Sequence, residues 1–159
     1  MNKVYLLLGS NQQGPKKQLV LAQRSITQKI GRIQRKSAIY QTAAWGNMDQ
    51  PDFLNQVVIL QTKFTASQTM QTILQIEEKM GRQRTVKNAP RIIDIDILFF
   101  NKEIIDDEEL TVPHPQLQNR RFVLVPLNEL SPNFKHPVLK KNVHQLFIHC
   151  HDKLNVKKF

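Results

Sequence analysis

Hydrophobic segments in the order strand, helix, strand, strand, helix, strand predict an α+β fold for this chain. Two observations carry that reading. Two stretches repeat apolar residues at helical spacing and each stops at a glycine. Four shorter stretches are apolar throughout or alternate, and are rich in β-branched residues. The 159 residues suffice for one ordinary core, with no internal repeat and no Gly/Ser/Pro-rich linker, so residues 1–159 are expected to form a single domain.

Segment 4–8 is a short apolar strand, ended by Gly9-Ser10-Asn11 and followed by Gly14-Pro15. Leu19, Ala22, Ile26 and Ile30 then lie on one helical face, with Gly31 as the stop. Segment 33–40 alternates well enough for a second strand, 42–52 is a polar loop, and 53–60 is a third strand. Met70, Ile73, Leu74, Glu77 and Met80 define a second amphipathic helix that stops at Gly81, and 91–100 is a fourth strand. This order is the ferredoxin-like βαββαβ sandwich, a sheet with both helices on one face and the other face open to ligands. A C-terminal extension of short strands and helices follows: an acidic turn at 106–109, a short helix at 121–130 interrupted by Pro126, and another at 143–150.

The formal charge of +10 makes the surface attractive to polyanions, whether a nucleoside triphosphate, RNA or an anionic membrane, and does not choose among them. A single cysteine, Cys150, precludes an internal disulfide. The apolar run 4–8 is too short for a signal peptide or a membrane span, so a cytoplasmic setting is expected.

The most informative segment is Ala89-Pro-Arg-Ile-Ile-Asp-Ile-Asp-Ile-Leu-Phe-Phe100, which sets Asp94 and Asp96 inside an apolar strand. Residues i and i+2 share a strand face about 6.5–7 Å apart, so both carboxylates can converge on one cation while Ile93, Ile95 and Ile97 pack the other way. A partly buried acidic pair wants a metal, an arginine cluster or a proton. The plainer alternative makes it the solvent face of an edge strand, salt-bridged to Arg82, Arg84 and Arg91. Those arginines, with Lys87 in the same loop and Arg120 and Arg121 able to approach from the flanks, also suit phosphate, which planar guanidinium groups grip bidentately, although Arg121, Lys135, Lys140 and Lys141 read as solvated basic surface. Gly9 and Gly14 have the spacing of a phosphate-binding loop, but Pro15 and Lys16 stand where that loop needs Lys and then Ser or Thr. With five glycines in the chain and no other Gly-rich cradle, phosphates must be held by side chains and metal.

Trp45, Phe53 and Phe122 can form a slot for a flat heterocycle, with Asn55 meeting its polar edge, although aromatics fill cores more often than they bind ligands. His144, His149, Cys150 and His151 match no zinc spacing and read as structural or surface residues. His114, held between Pro113 and Pro115, is the candidate functional histidine.

Taken in order, these motifs resemble the 6-hydroxymethyl-7,8-dihydropterin pyrophosphokinase family of folate biosynthesis. The resemblance rests on Gly9-Ser10-Asn11, Asp49-Gln-Pro-Asp-Phe-Leu-Asn55, Gly81-Arg82-x-Arg84, Pro90-Arg91-x-x-Asp94-Ile-Asp96-Ile-Leu98, Leu110-Thr-Val-Pro-His-Pro115 and Asn119-Arg120-x-Phe122. It implies transfer of the β,γ-diphosphoryl group of ATP to the pterin hydroxymethyl oxygen, leaving AMP. It further implies Asp94 and Asp96 as ligands of two Mg²⁺ ions, and Arg82 and Arg91 as stabilisers of the transferring diphosphate. Arg84, Thr111, His114 and Arg120 would hold the nucleotide, with Glu77 beside it. Phe53 and Phe122 would sandwich the pterin, read by Asn55 and by the backbone around Thr42, Ala43 and Trp45. Loops 42–52 and 82–90 would close as lids. The chain departs from familiar bacterial members at Lys87-Asn88-Ala89, where they carry Trp, and at Leu74, Glu109 and Pro115. The expected partners are ATP and the pterin, without nucleic acid or membrane, for a monomer. Two other classes fit the plan: an RNA-binding module, whose aromatic signature is absent, and a regulatory ligand-binding domain.

Overall fold

The computed structural model describes residues 1–44, 49–82 and 91–159. Strand β1 (Asn2–Ser10) is buried from Val4 onward and lies between two antiparallel neighbours, β4 (Phe53–Thr62) and β5 (Asp94–Phe100). Its continuous apolar run follows from burial on both faces, since residues of either parity then meet a core. Strands β2 (Gly31–Lys36) and β3 (Tyr40–Thr42) both pair antiparallel with β4, and β8 (Val156–Lys158) pairs with β3. The order across the sheet is β5-β1-β4-β3-β8, with β2 also on β4.

The strand expected over 33–40 is therefore two strands. The break falls at Ser37, which exchanges bonds with the central strand: its backbone N donates to Val57 O at 2.9 Å, and its hydroxyl accepts from Val57 N at 3.0 Å. The Gln56 amide donates to Ser37 O. Side-chain and backbone bonding at one residue satisfies β4 across the interruption. The fourth strand begins at Asp94 rather than Arg91.

Helices α1 (Pro15–Lys29) and α2 (Ala66–Lys79) cover one sheet face, where Leu19, Ala22, Ile26, Ile73 and Ile76 pack against Leu6, Leu8, Val58, Leu60, Ile95 and Ile97. Helix α2 starts in a capping box, with the Thr65 hydroxyl accepting from Gln68 N while the Gln68 side chain accepts from Thr65 N. Gly31 is needed for proximity: a Cβ there would lie 1.9 Å from Gln61 O of β4.

The second face is not open along its length, contrary to the sequence expectation. Helices α3 (Arg121–Leu130) and α4 (Val143–Ile148) of the C-terminal extension lie on it, and Val123, Leu124, Leu127, Val143 and Leu146 bury Tyr5, Leu7, Val57, Ile59 and Phe99. Tyr5 and Phe99 meet edge to face at 5.5 Å between ring centroids. The register slips between Tyr5 and Leu6, where Leu6 faces Ile97 and Tyr5 faces Phe99, so Leu98 is the extra residue and both Leu98 and Phe99 enter this second core. Strands β6 (Ile105–Asp106) and β7 (Thr111–Val112) form a hairpin whose turn is closed by Asp107 Oδ1, accepting from Glu109 N and Leu110 N.

Candidate active site

Beside the first turn of α3, around Arg120 and Phe122, the second sheet face is left uncovered and the strand register brings the polar positions together. Asp94 of β5 faces Gly9 of β1, Gly9 faces Asn55 of β4, and Asn55 faces Tyr40 of β3. One pleat to one side of this row Asp96 faces Leu7, and one pleat to the other side Phe53 pairs with Thr42. These residues share a face because each lies an even number of positions from its neighbour on the same strand.

A cleft of about 300 Å³ opens over them. The sequence candidates Thr42, Ala43, Phe53, Asn55, Arg82, Arg91, Asp94, Asp96, His114, Arg120 and Phe122 all line it. Glu77 lies beneath the wall, buried, and Thr111 sits in the β6–β7 hairpin outside the lining. Trp45, Arg84 and Lys87 lie outside the described residues, as do 45–48 and 83–90 of the two loops expected to act as lids.

Glu77 organises the acidic end. Its Oε2 accepts from Ile95 N at 2.8 Å and from Arg82 Nη1 at 2.5 Å, so one buried carboxylate both holds the outer edge of β5 and aims a guanidinium. Arg82 Nη1 also donates to Asp94 Oδ1 at 2.6 Å, and Arg91 Nη1 to Asp94 Oδ2 at 3.0 Å. The plainer reading of the acidic strand is thus met in part: β5 is an edge strand and Asp94 is paired with two of the named arginines. That reading does not account for Asp96 at the cleft wall. Burial, then the charges of Asp94 and Glu77, raise its carboxyl to about 8 despite Arg120 and Arg82 nearby, so at neutral pH it holds a proton.

The cations answer to the same field. Burial works against the Arg82 charge, but Asp94 and Glu77 outweigh it and raise its pKa. Arg120 is lowered by burial and by Arg91, against the pull of Asp96 and Asp94. The Arg120 guanidinium lies 5.9 Å from the centroid of the Phe122 ring, within reach of its π face. Arg82 Nε is buried and finds no hydrogen-bond acceptor among the described residues, a donor that an anionic ligand can satisfy. His114 is driven down to about 4 by burial and by Arg120, so its imidazole is neutral at pH 7, consistent with Nδ1 accepting from Gln116 N at 3.1 Å.

Among the described residues no trio of His, Cys, Asp and Glu is placed to hold a metal. What the cleft offers is a pair of adjacent carboxylates, one of which is kept protonated by burial and by the acids beside it. That donor set fits a hard cation whose other ligands come from water and phosphate, the habit of Mg²⁺. The C-terminal histidines His144, His149 and His151 are exposed, His144 meeting Asn128 Oδ1 at 3.2 Å, and Cys150 packs in the second core.

Leu7, Gly9, Met70 and Ile95 also line the cleft and were not anticipated. Gly9 forms its floor: a Cβ there would fall 2.7 Å from Asn55 Oδ1. A glycine within a strand is a known mark of close approach, and that was the available signal; its place before Ser10-Asn11 made it read as part of a turn.

Comparison with known proteins was consistent across sequence and structure. The family described as 7,8-dihydro-6-hydroxymethylpterin-pyrophosphokinase (HPPK) matches residues 5–132. A 2-amino-4-hydroxy-6-hydroxymethyldihydropteridine pyrophosphokinase of Aquifex aeolicus is 38% identical over 141 residues, covering 89% of this chain and 88% of the relative. The enzyme of the same name from Haemophilus influenzae is 35% identical over 159 residues, covering 98% and 99%. A folic acid synthesis protein of Dictyostelium discoideum is 40% identical over 138 residues, and the chain spans 21% of its length. Among solved structures, an HPPK-DHPS triple mutant of Plasmodium falciparum with SDX-DHP superposes with a TM-score of 0.76 at 19% identity, covering 92% of this chain and 44% of that one. The last likeness bears on the fold alone.

Proposed function

The chain belongs to the 7,8-dihydro-6-hydroxymethylpterin-pyrophosphokinase family, and from that premise we propose that it transfers the β,γ-diphosphoryl group of ATP to 6-hydroxymethyl-7,8-dihydropterin in folate biosynthesis. The pterin hydroxymethyl oxygen attacks the β-phosphorus in line, the bond from that phosphorus to the α,β-bridging oxygen breaks, AMP departs, and the hydroxyl proton passes to solvent. The observation that carries this reading is the convergence, in one cleft, of an aromatic and amide wing from β3, β4 and Phe122 with an arginine and carboxylate wing from β5 and its flanks.

Phe53 and Phe122 take the faces of the pterin ring and Asn55 its polar edge, with Thr42 and Ala43 supplying backbone groups, and Trp45, outside the described residues, is assigned to the same ligand. Asp94 and Asp96 would hold two Mg²⁺ ions, which would supply positive charge to neutralise the phosphates. Arg82 and Arg91, now shared with Asp94, orient the diphosphate, and the buried Arg82 Nε donates to one of its oxygens. Arg120, neutral His114 and Thr111 are assigned to the nucleotide, as is Arg84, which lies outside the described residues. Glu77 acts by aiming Arg82.

The strand order β5-β1-β4, with β2 and β3 together on the far side of β4, supports the ferredoxin-like plan for the first hundred residues. Pairing of β8 with β3 supports residues 1–159 acting as one domain. Among the described residues no helix is long and apolar enough to cross a membrane. We read the protein as a cytoplasmic monomer. Incubation with Mg-ATP and the hydroxymethyldihydropterin, followed by mass spectrometry, should yield AMP and the pterin diphosphate in equal amounts. Formation of ADP, or no product from folded protein, would overturn the assignment.

A further inference from the structure

Asn11 takes no part in the transfer described above, yet it is 3% exposed and its side chain is bonded on three sides. Its Nδ2 donates to Gln50 Oε1 at 2.7 Å and to Pro51 O at 3.0 Å, while its Oδ1 accepts from Arg91 N at 2.8 Å. Its own backbone N donates to Arg91 O at 3.1 Å. The orientation of the amide follows from its partners, because Arg91 N can only donate and Pro51 O can only accept.

These partners belong to different halves of the cleft. Residues 50–51 lead directly into Phe53 and Asn55, the pterin wall, and Arg91 opens the segment that carries Asp94 and Asp96. We propose that Asn11 is a positioning residue that couples pterin binding to nucleotide binding. Both segments must stand in register for this buried amide to be satisfied. If either shifts alone, a buried donor or acceptor is left unmet, which is costly. A ligand that fixes one segment therefore lowers the cost of fixing the other, and such a coupling is reciprocal. The inference rests on the proposed pyrophosphokinase reading.

Calorimetry with the oxidised substrate analogue 6-hydroxymethylpterin and Mg-α,β-methylene-ATP, each titrated with and without the other, measures the coupling without turnover. The parent should show each ligand tightening the other by the same factor, at least about fivefold. Asn11→Asp keeps the acceptor for Arg91 N but loses both donors, and the factor should fall close to one. Gln50→Leu removes one acceptor and should lower it, whereas Gln50→Glu restores an acceptor for the Asn11 amide and should recover it. A role in folding alone would not separate the two Gln50 variants. Parent protein that binds neither ligand would overturn the pyrophosphokinase reading. Parent protein that binds both, with no mutual effect or with a factor unchanged in Asn11→Asp and Gln50→Leu, would overturn the coupling role alone.

Discussion

At Asp96 the cost of burying a carboxylate becomes a property of the site. Burial, Asp94 and Glu77 keep it protonated, so it awaits a stronger positive charge than the protein supplies. Asp96→Asn preserves shape and hydrogen-bonding capacity but removes the ligand, and Asp94→Asn does the same beside it. Each variant should retain the parent's circular dichroism and lose detectable AMP formation. Activity near the parent level in either would end the metal assignment. His114 moves the opposite way, from an ordinary value of 6.5 down to about 4 through burial and then Arg120. Its contribution to stability is therefore intact above pH 6.5, where both states are neutral. It is lost as pH falls toward about 4, because the unfolded chain takes up the proton first. Imidazole resonances followed by NMR in the free protein should keep His114 neutral through pH 5; a midpoint near 6.5 would contradict its burial against Arg120. Asp94 and Asp96 were legible in the sequence because acids interrupting an apolar strand are conspicuous. Gly9 and Asn11 were not, because only the register shows what stands opposite a glycine, and only the fold brings residues 50–51 and 91 to one amide.

Among the elements, α2 has the largest indirect effect on the site, since it carries Glu77 one turn from its end and Glu77 holds both β5 and Arg82. Its start depends on the reciprocal Thr65 and Gln68 bonds, three turns away from Glu77. Thr65→Ala should lower unfolding stability by about 1 kcal/mol, read as a lower urea midpoint with an unchanged slope. AMP formation by the folded fraction should stay at the parent rate, because the last turns of α2 are held by core contacts of Ile73 and Ile76. A matching loss of turnover would show that fraying reaches Glu77. Both long helices and their stops were legible from spacing and glycine. The division of 33–40 into β2 and β3 was not, because the Ser37 bonds that interrupt pairing reach across to Gln56 and Val57, 19 and 20 residues away in sequence. The strand β8 was equally hidden, since Val-Lys-Lys shows no alternation long enough to signal pairing.

Over the whole molecule, two apolar layers flank one sheet, and the sequence showed only the first of them clearly. The run 4–8 and the run 57–60 are apolar at both parities, which is the sign of a strand covered on both faces. The short, Pro-interrupted segment 121–130 gave little warning that it was the cover. That cover leaves open, on this face, the cleft where arginines and acids face one another. Among the described residues Arg82, Arg91 and Arg120 stand there against Glu77 and Asp94, with Asp96 protonated, so most of the local charge cancels, whereas the chain as a whole carries +10. Attraction of a nucleotide from a distance must then come from the surface at large, which salt screens, since the Debye length shrinks from about 10 Å at 0.1 M to about 3 Å at 1 M. The pterin proposed as the second substrate is uncharged, and the stacking and short hydrogen bonds assigned to it are contacts that salt hardly touches. Raising the salt concentration across that range should raise KM for Mg-ATP while leaving KM for the pterin within about twofold. Equal sensitivity of both would mean that salt acts on the fold or on the coupling between the two wings. Insensitivity of both would mean that the nucleotide is captured by the short-range pairs of the cleft alone, and that the basic surface serves another purpose.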